Sequence, residues 1–442
     1  MAMSIRSLNM KQYRAEINQR MVSRLKAVQA GDNDFNLPLF IWGLPGIGKS
    51  MILASICKET WTTAKDKKGK ELFDAQDMNR LRPWDASQWF WYTSEDKALL
   101  EKHPQGWILM DVRLSQIDPV EIKGAPFYNQ KDMTAGFIRF SSILPDPKNT
   151  HPIFLLLDEF PLAPDMVQAA GYQLINDRKV GDYRLPDNCV VLAAGNPPEI
   201  GGTHFEMSIA LENRFDHIGL DIDYDGFVKY ISQGQHKYDD TIVAFLQYSK
   251  EQDKGAIYNV KDQAGKGNFP TFRSWEKALK KVKYGSKEYD AIADSVGQAG
   301  AAKFETFKEL TKDIPDAKTL VDKHMYYEEI ALQLVASQKV GNQLLNKDIM
   351  SKLTDERAFD IFRYFIDMKK PSDTTDNREE LTILFLVNVR DDMDILDKID
   401  KGFQKALKKG LIEPMKNEET KEAIVDVYGL IFYKWRSLQD VD

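Results

Sequence analysis

Cysteine is nearly absent from this chain: two in 442 residues, Cys57 and Cys189. Two thiols in apolar runs build neither a disulfide framework nor a Cys-rich zinc site, and both read as small core residues of a reducing compartment. Histidine is also sparse. The six present are scattered, with no metal-ligand pair at helical spacing. No apolar run is long enough to span a bilayer. Arg6, Lys11, Arg14 and Glu16 near the start interrupt any apolar signal core. A cytoplasmic protein with no membrane partner is therefore expected. Repeats and low-complexity tracts are missing too. Positive charge is not in excess: the net charge is −7 with 29% charged residues. That disfavours general nucleic-acid binding, though it allows a local basic groove. What the chain does have is 43% hydrophobic residues, enough for proper cores, and a length that suggests roughly two to four domains.

Residues 10–29 carry apolar side chains at helical spacing and predict an N-terminal helix. "LPLFIW", "GWILMDV", "PIFLLLD", "NCVVLAAGN" and "DHIGLDI" are short apolar runs separated by helical patterns. Continuous apolar strands of this kind belong to a parallel sheet covered on both faces. Residues 61–105 interrupt the pattern. They hold Trp61, Trp84, Trp89 and Trp91, half of the eight tryptophans, beside the charge run "KDKKGKE". From about Asp225 the strand signals fade into helical periodicity, with "KPSDTTDN" as an exposed loop. The expected fold is α/β: a P-loop parallel sheet with helices on both faces, then a helical lid and a C-terminal helical region. The expected domains are 1–225, 226–315 and 316–442.

Between the first apolar strand and the next helix lies "GLPGIGKS". Gly43, Gly46 and Gly48 let the backbone curl so that its N–H groups face one point, to which a helix starting near Lys49 adds its positive end. Lys49 has the reach for the β- and γ-phosphates, and the Ser50 hydroxyl suits Mg²⁺. Gly43-x-x-x-x-Gly48-Lys49-Ser50 is the Walker A spacing. A glycine turn that matches by chance is the alternative, and the flanking strand and helix count against it.

"FLLLDEF" puts Asp158 and Glu159 at the end of a buried strand, where parallel sheets bind ligands. Asp158 suits Mg²⁺ beside Ser50, and Glu159 suits polarising an attacking water. Asn196 tips another strand and could hold that water or the γ-phosphate; taken alone, an ordinary asparagine turn before Pro197 and Pro198 explains it better. Arg214, in "ENRFD", could stabilise transition-state charge from a neighbouring subunit, or form a surface pair with Glu212 or Asp216. Arg273, in "PTFRSW", falls just inside a helix of the second domain.

This order of motifs resembles that of AAA+ ATPases. "DVRLSQIDPVEIKGAP", "DEFPLAPDMVQAAGYQLINDRKVGDYRLP" and "AAGNPPEIGGTHFEMSIALENRFD" look like the MoxR group, over about residues 35–315. The resemblance implies a helix-2 insert at about 120–142 and a hairpin in "RKVGDYRLPDN". It also implies ATP contacts from Gly43, Pro45, Gly46, Ile47, Gly48, Lys49, Ser50 and Met51, with Mg²⁺ on Ser50 and Asp158. Glu159, Asn196, Arg214 and Arg273 become catalytic glutamate, sensor 1, arginine finger and sensor 2. Two departures stand out. The aromatic segment 61–105 is long, and Asp-Glu-Phe-Pro-Leu-Ala lacks the arginine common in that strand-end motif.

The function so implied is an ATP-driven remodelling or chaperone-like machine. It would be a homo-hexameric ring acting on a protein client or on a partner with a von Willebrand factor A (VWA) domain. A nucleic-acid motor or restriction-type subunit shares the core and insert, and predicts a basic stripe in the pore, to which the insert would contribute. Lys123, Lys131 and Arg139, set against Glu121 and Asp132, make a weak one. A scaffold with little turnover is disfavoured by Glu159, Asn196 and Arg214 together. The aromatic cluster Trp84, Trp89, Phe90, Trp91 and Tyr92 is expected either to fold onto its own domain or to dock a partner.

Overall fold

A computed structural model describes residues 5–65, 71–131, 134–198, 207, 212–232, 238–260, 267–325, 332, 335–336, 339–340, 352–367, 393–409, 415–416 and 423–424. The core of the charge run at 66–70, most of 199–211, the expected loop at 370–377 and most of 316–442 lie outside the described residues. The chain divides into two compact units. The first is Met1–Asp223 with Val260–Gly265 and Thr271–Arg273; the second holds the remainder.

The first unit is built on a six-stranded sheet. Its strands are β1 (Arg6–Leu8), β2 (Leu39–Gly43), β3 (Ile108–Arg113), β6 (Ile153–Asp158), β9 (Cys189–Gly195) and β10 (Asp216–Leu220). The order is β1-β10-β2-β9-β6-β3, and every pairing is parallel. All of β2 and β9, and all of β6 before Asp158, are buried, which accounts for their unbroken apolar runs. From β2 the chain crosses to β3 at the far edge, returns through β6 and β9, and emerges on the other side of β2 as β10. The carboxyl ends of β2, β6 and β9 therefore lie side by side at a point where the strand order reverses, the usual ligand position in such sheets.

Helix α1 (Met10–Gln29) starts with an Asn9–Gln12 capping box. It buries Tyr13, Ile17 and Met21, four residues apart on one face. Arg20 fastens it to the sheet through Asp216 at 2.9 Å and the Leu37 carbonyl at 3.1 Å. Helix α2 (Lys49–Thr62) follows the glycine loop. α5 (Pro119–Lys123) and the antiparallel hairpin β4 (Ala125–Asn129) and β5 (Thr134–Ile138) occupy the stretch expected as an insert. α6 (Asp165–Asp177) leads into a second hairpin, β7 (Lys179–Val180) and β8 (Tyr183–Arg184).

The aromatic segment forms α3 (Ala75–Leu81), a 3₁₀ turn at Ala86–Trp91 and α4 (Ser94–Leu100). It closes the sheet edge at β3: the Leu109 N–H donates to the Trp84 carbonyl at 2.7 Å, and Asp85 bridges Leu109 in parallel. Trp61 is fully buried, stacks on His151 and donates its Nε1–H to the Trp107 carbonyl at 2.7 Å. Trp89 is half-buried, meets His151 edge-on at 5.1 Å and donates to the Pro83 carbonyl at 2.9 Å. Most of the cluster is thus local core. Trp91 departs from it, at 78% exposed. Trp89→Ala is expected to destabilise the fold by a few kcal/mol, towards the lower end of roughly 3–5 kcal/mol for a large buried aromatic. Trp91→Ala should stay within about 0.5 kcal/mol of the parent. Thermal melts of the two variants check this, and equal losses would contradict the division.

The second unit is helical over Tyr224–Ser232, Asp240–Gln252, Lys254–Ile257, most of Phe272–Lys283, Glu288–Val296, Gln298–Thr311, Ala317–Asp322, Asp355–Asp367 and Met393–Lys408. Trp275, Phe245, Phe304 and Phe307 form a core, with Trp275 Nε1 donating to the Ala256 carbonyl at 3.0 Å. Met415–Lys416 pairs antiparallel with Ala423–Ile424. That departs from the helical reading of the C-terminal region, over stretches too short for periodicity to reveal. The fold is the expected α/β parallel sheet followed by a helical region. Among the described residues, no helix is long and apolar enough to cross a membrane.

Candidate active site

The loop from Gly43 to Ser50 has the backbone that its composition demands. Gly46 and Gly48 adopt φ of 77° and 99°, a region costly to residues with a Cβ. A Cβ on Gly46 would come within 3.2 Å of the Thr271 side chain and 3.6 Å of Arg273 Cβ. Gly48 caps α2, so the first free N–H groups of that helix open onto the loop. Ile47 is buried, whereas Met51 is 48% exposed. Ser50 lies in the first turn of α2.

Lys49 is the hub. Its Nζ donates to the Gly43 carbonyl at 2.6 Å, the Leu44 carbonyl at 3.2 Å and Asn196 Oδ1 at 2.9 Å. The loop lysine and the strand-tip asparagine are thus joined by a direct hydrogen bond across the β2–β9 boundary, a pairing the sequence does not suggest. Burial pushes the Lys49 ammonium down to about 8; Arg273 adds to the shift, while Asp158 and Glu159 oppose it. The unfolded chain thus keeps this proton up to the ordinary value of 10.5, and the folded chain releases it near 8. The burial cost weighs fully below about pH 8 and is relieved as the pH rises from there to 10.5. Anion binding needs the charged form, so affinity for a triphosphate should fall as the pH passes about 8. Lys49→Ala should weaken binding roughly 10–100-fold, as for a lost charge-assisted hydrogen bond, and flatten that pH dependence. Nucleotide titrations on both chains below and above that pH check this, and identical profiles would contradict it.

Asp158 ends β6, and Glu159 follows with φ of 56°, left-handed for a residue with a side chain. Such a conformation costs of order 1–3 kcal/mol and turns the side chain away from the strand path. The Glu159 N–H donates to Asp158 Oδ1 at 2.9 Å, and the Ser115 hydroxyl donates to Glu159 Oε2. That second bond occupies an oxygen that a base would need. Beneath the loop, the buried Tyr13 hydroxyl lies 3.5 Å from the Lys49 carbonyl. Its phenol is raised far above its ordinary value by burial and then by Asp158.

Arg273 belongs with this group, close to Gly46 and within electrostatic range of Lys49. Arg214 does not. It is exposed on the turn before β10, its guanidinium 6.0 Å from the centroid of the Tyr172 ring on α6. Among the described residues it shares no contact with Lys49, Asn196, Asp158 or Glu159. The alternative for Arg214, a surface pair with Glu212 or Asp216, is not seen among the described residues, and Asp216 pairs with Arg20. Tyr13, Ser115 and Tyr172 were not legible in the sequence, since each acts on a partner far along the chain.

The loop fits a triphosphate: two positive-φ glycines leave its backbone open, a helix N-terminus faces it and an ammonium stands at its centre. Ser50 and Asp158 supply the hard oxygen donors that Mg²⁺ prefers. Among the described residues there is no cluster of three or more His, Cys, Asp or Glu that could hold a metal ion.

No protein-family model matches the chain, and no curated protein is significantly similar to it. Solved structures show distant likeness. A Cytophaga hutchinsonii protein provisionally described as an ATPase is 15% identical, with 74% of this chain and 86% of that one covered and a TM-score of 0.27. NtrX from Brucella abortus in complex with ADP is 13% identical, covering 83% and 68%, with a TM-score of 0.28. The RuvB Holliday junction branch migration motor of Thermotoga maritima is 11% identical, covering 97% and 98%, with a TM-score of 0.26. Likeness at this level does not place the chain in a family; its fold rests on its own strand order and loop geometry.

Proposed function

We propose that the chain is an ATPase of AAA+ type that works as a ring and remodels a protein client or a partner. The observation that carries this reading is the Lys49 ammonium, held between the loop carbonyls and Asn196 beside the Asp158–Glu159 strand end. On this reading the loop N–H groups and the start of α2 bind the phosphates. Lys49 exchanges its carbonyl partners for phosphate oxygens. Ser50 and Asp158 would hold Mg²⁺, which when bound neutralises charge on the β- and γ-phosphates. Glu159, once released from Ser115, accepts the proton of the attacking water. Asn196 orients that water, and Arg273 reports the γ-phosphate. Arg214, exposed and apart from its own site, serves the nucleotide of a neighbouring subunit. The MoxR resemblance adds the finer expectations of a hexamer and a VWA-domain partner.

A protein target is favoured over nucleic acid by the β4–β5 hairpin. It exposes Phe127, Tyr128, Phe137 and Ile138, each 43–57% accessible. Arg139 is drawn off the expected basic stripe, donating to the Leu144 carbonyl. The test is the ATP turnover rate alone and with single-stranded DNA, duplex DNA, RNA, an unfolded protein or a VWA-domain protein. Stimulation by protein alone is expected. Stimulation by nucleic acid alone would favour the motor reading.

A further inference from the structure

A polar bridge that the chemistry above leaves unused joins β2 to the turn that carries Arg214. The Trp42 indole Nε1 donates to His217 Nδ1 at 3.0 Å, and His217 Nε2 lies 2.8 Å from the Glu212 carbonyl oxygen. An indole N–H only donates, so Nδ1 must present a lone pair. With Nδ1 accepting, Nε2 carries the N–H that donates to the Glu212 carbonyl. The same carbonyl accepts the Phe215 N–H at 3.2 Å, closing a turn in which Arg214 is the third residue. At the other end of the bridge, Trp42 immediately precedes Gly43, the first glycine of the phosphate loop.

The rings around the bridge connect the same places. Phe40 stacks on Trp42 at 4.3 Å and on His217 at 5.6 Å. Phe160, the residue after Glu159, and Phe215, the residue after Arg214, meet Phe40 edge-on at 6.0 and 5.3 Å and each other at 6.0 Å. Phe40, Trp42, Phe160 and Phe215 are all buried. The β2–β10 register sets Phe40 beside His217, so these rings share one face of the sheet. Filling that face needs only a ring of the right size. A ring that also accepts from β2 and donates to the Arg214 turn does more than fill space.

We propose that His217 is a positioning residue. It ties the Arg214 turn to the strand that carries the phosphate loop, so that the guanidinium is presented to the neighbouring nucleotide in register with the subunit's own site. This rests on the reading of Arg214 as acting between subunits. Without the bridge, the Tyr172 contact at 6.0 Å would be left to aim an exposed side chain.

The experiment uses mixed assemblies of full-length chains. An Arg214→Ala chain keeps a complete site of its own but offers no finger. A Lys49→Ala chain, assayed at ATP concentrations too low to fill its weakened site, still offers Arg214, so mixing the two should restore turnover. The donor is then changed to Lys49→Ala with His217→Phe, which keeps the ring and loses both hydrogen bonds. Recovery is expected to fall at least ~10-fold, within the ~10²-fold range for small misplacements of a catalytic group. A donor with His217→Gln, whose amide both accepts and donates, should keep most of the recovery. If His217 served only the donor's own phosphate loop, recovery would not change, because that site is already empty under these conditions. Equal recovery with the Phe donor therefore overturns the proposal. No recovery with the simple Lys49→Ala donor, in assemblies shown by sedimentation to contain both chains, removes the shared-site reading itself. If the Phe donor does not co-assemble, Trp42→Phe in the donor removes the indole donor alone and is read against the same two outcomes.

Discussion

A chain carrying Arg214→Ala is expected to bind Mg-ATP as the parent does and to hydrolyse it roughly 10³–10⁵-fold more slowly, the range for a lost arginine finger. The size of the effect follows from where the charge would act. A guanidinium brought to the γ-phosphate as a water-poor site closes offsets charge that grows only in the transition state, so turnover suffers and ground-state binding does not. The position of Arg214 fits that division. It is exposed, stands apart from Lys49 and Asn196, and is steadied by the Tyr172 ring instead of an ion pair. Nucleotide titration and phosphate release on the same preparation separate the two effects. A variant that lost affinity and turnover in equal measure would place Arg214 at its own subunit's nucleotide.

Glu159→Gln is expected to retain nucleotide and to lose at least ~100-fold in turnover, within the span for a removed general base. The amide keeps the shape of the side chain and has no charge with which to take a proton. The backbone at Glu159 is left-handed, and its N–H is held by Asp158, so the substitution should leave the strand end in place. Melting curves that coincide with the parent's would show that the loss is chemical. Near-normal turnover would remove Glu159 from the catalytic role.

Much of this arrangement is legible in the sequence. The apolar runs ending in Trp42, Asp158 and Gly195 mark buried parallel strands because both faces of such strands need apolar side chains. The glycines and Lys49 mark the loop because few backbones need positive φ twice in three residues. Other parts were illegible for physical reasons. β1 is only Arg6–Leu8, with two exposed side chains, and exists because the edge of β10 offers it hydrogen bonds. Trp84 and Trp89 read equally well as a docking surface, since nothing local says that residues 84–85 will run along β3. Ser115 meets Glu159 across 44 residues and Trp42 meets His217 across 175. Such pairings are made by the sheet, and no spacing rule in the sequence reports them.

The most direct measurement is phosphate release from Mg-ATP by the unmodified chain, with the Lys49→Ala chain as the blank. The account predicts steady turnover well above that blank. A chain that bound Mg-ATP yet released phosphate no faster than Lys49→Ala would contradict it.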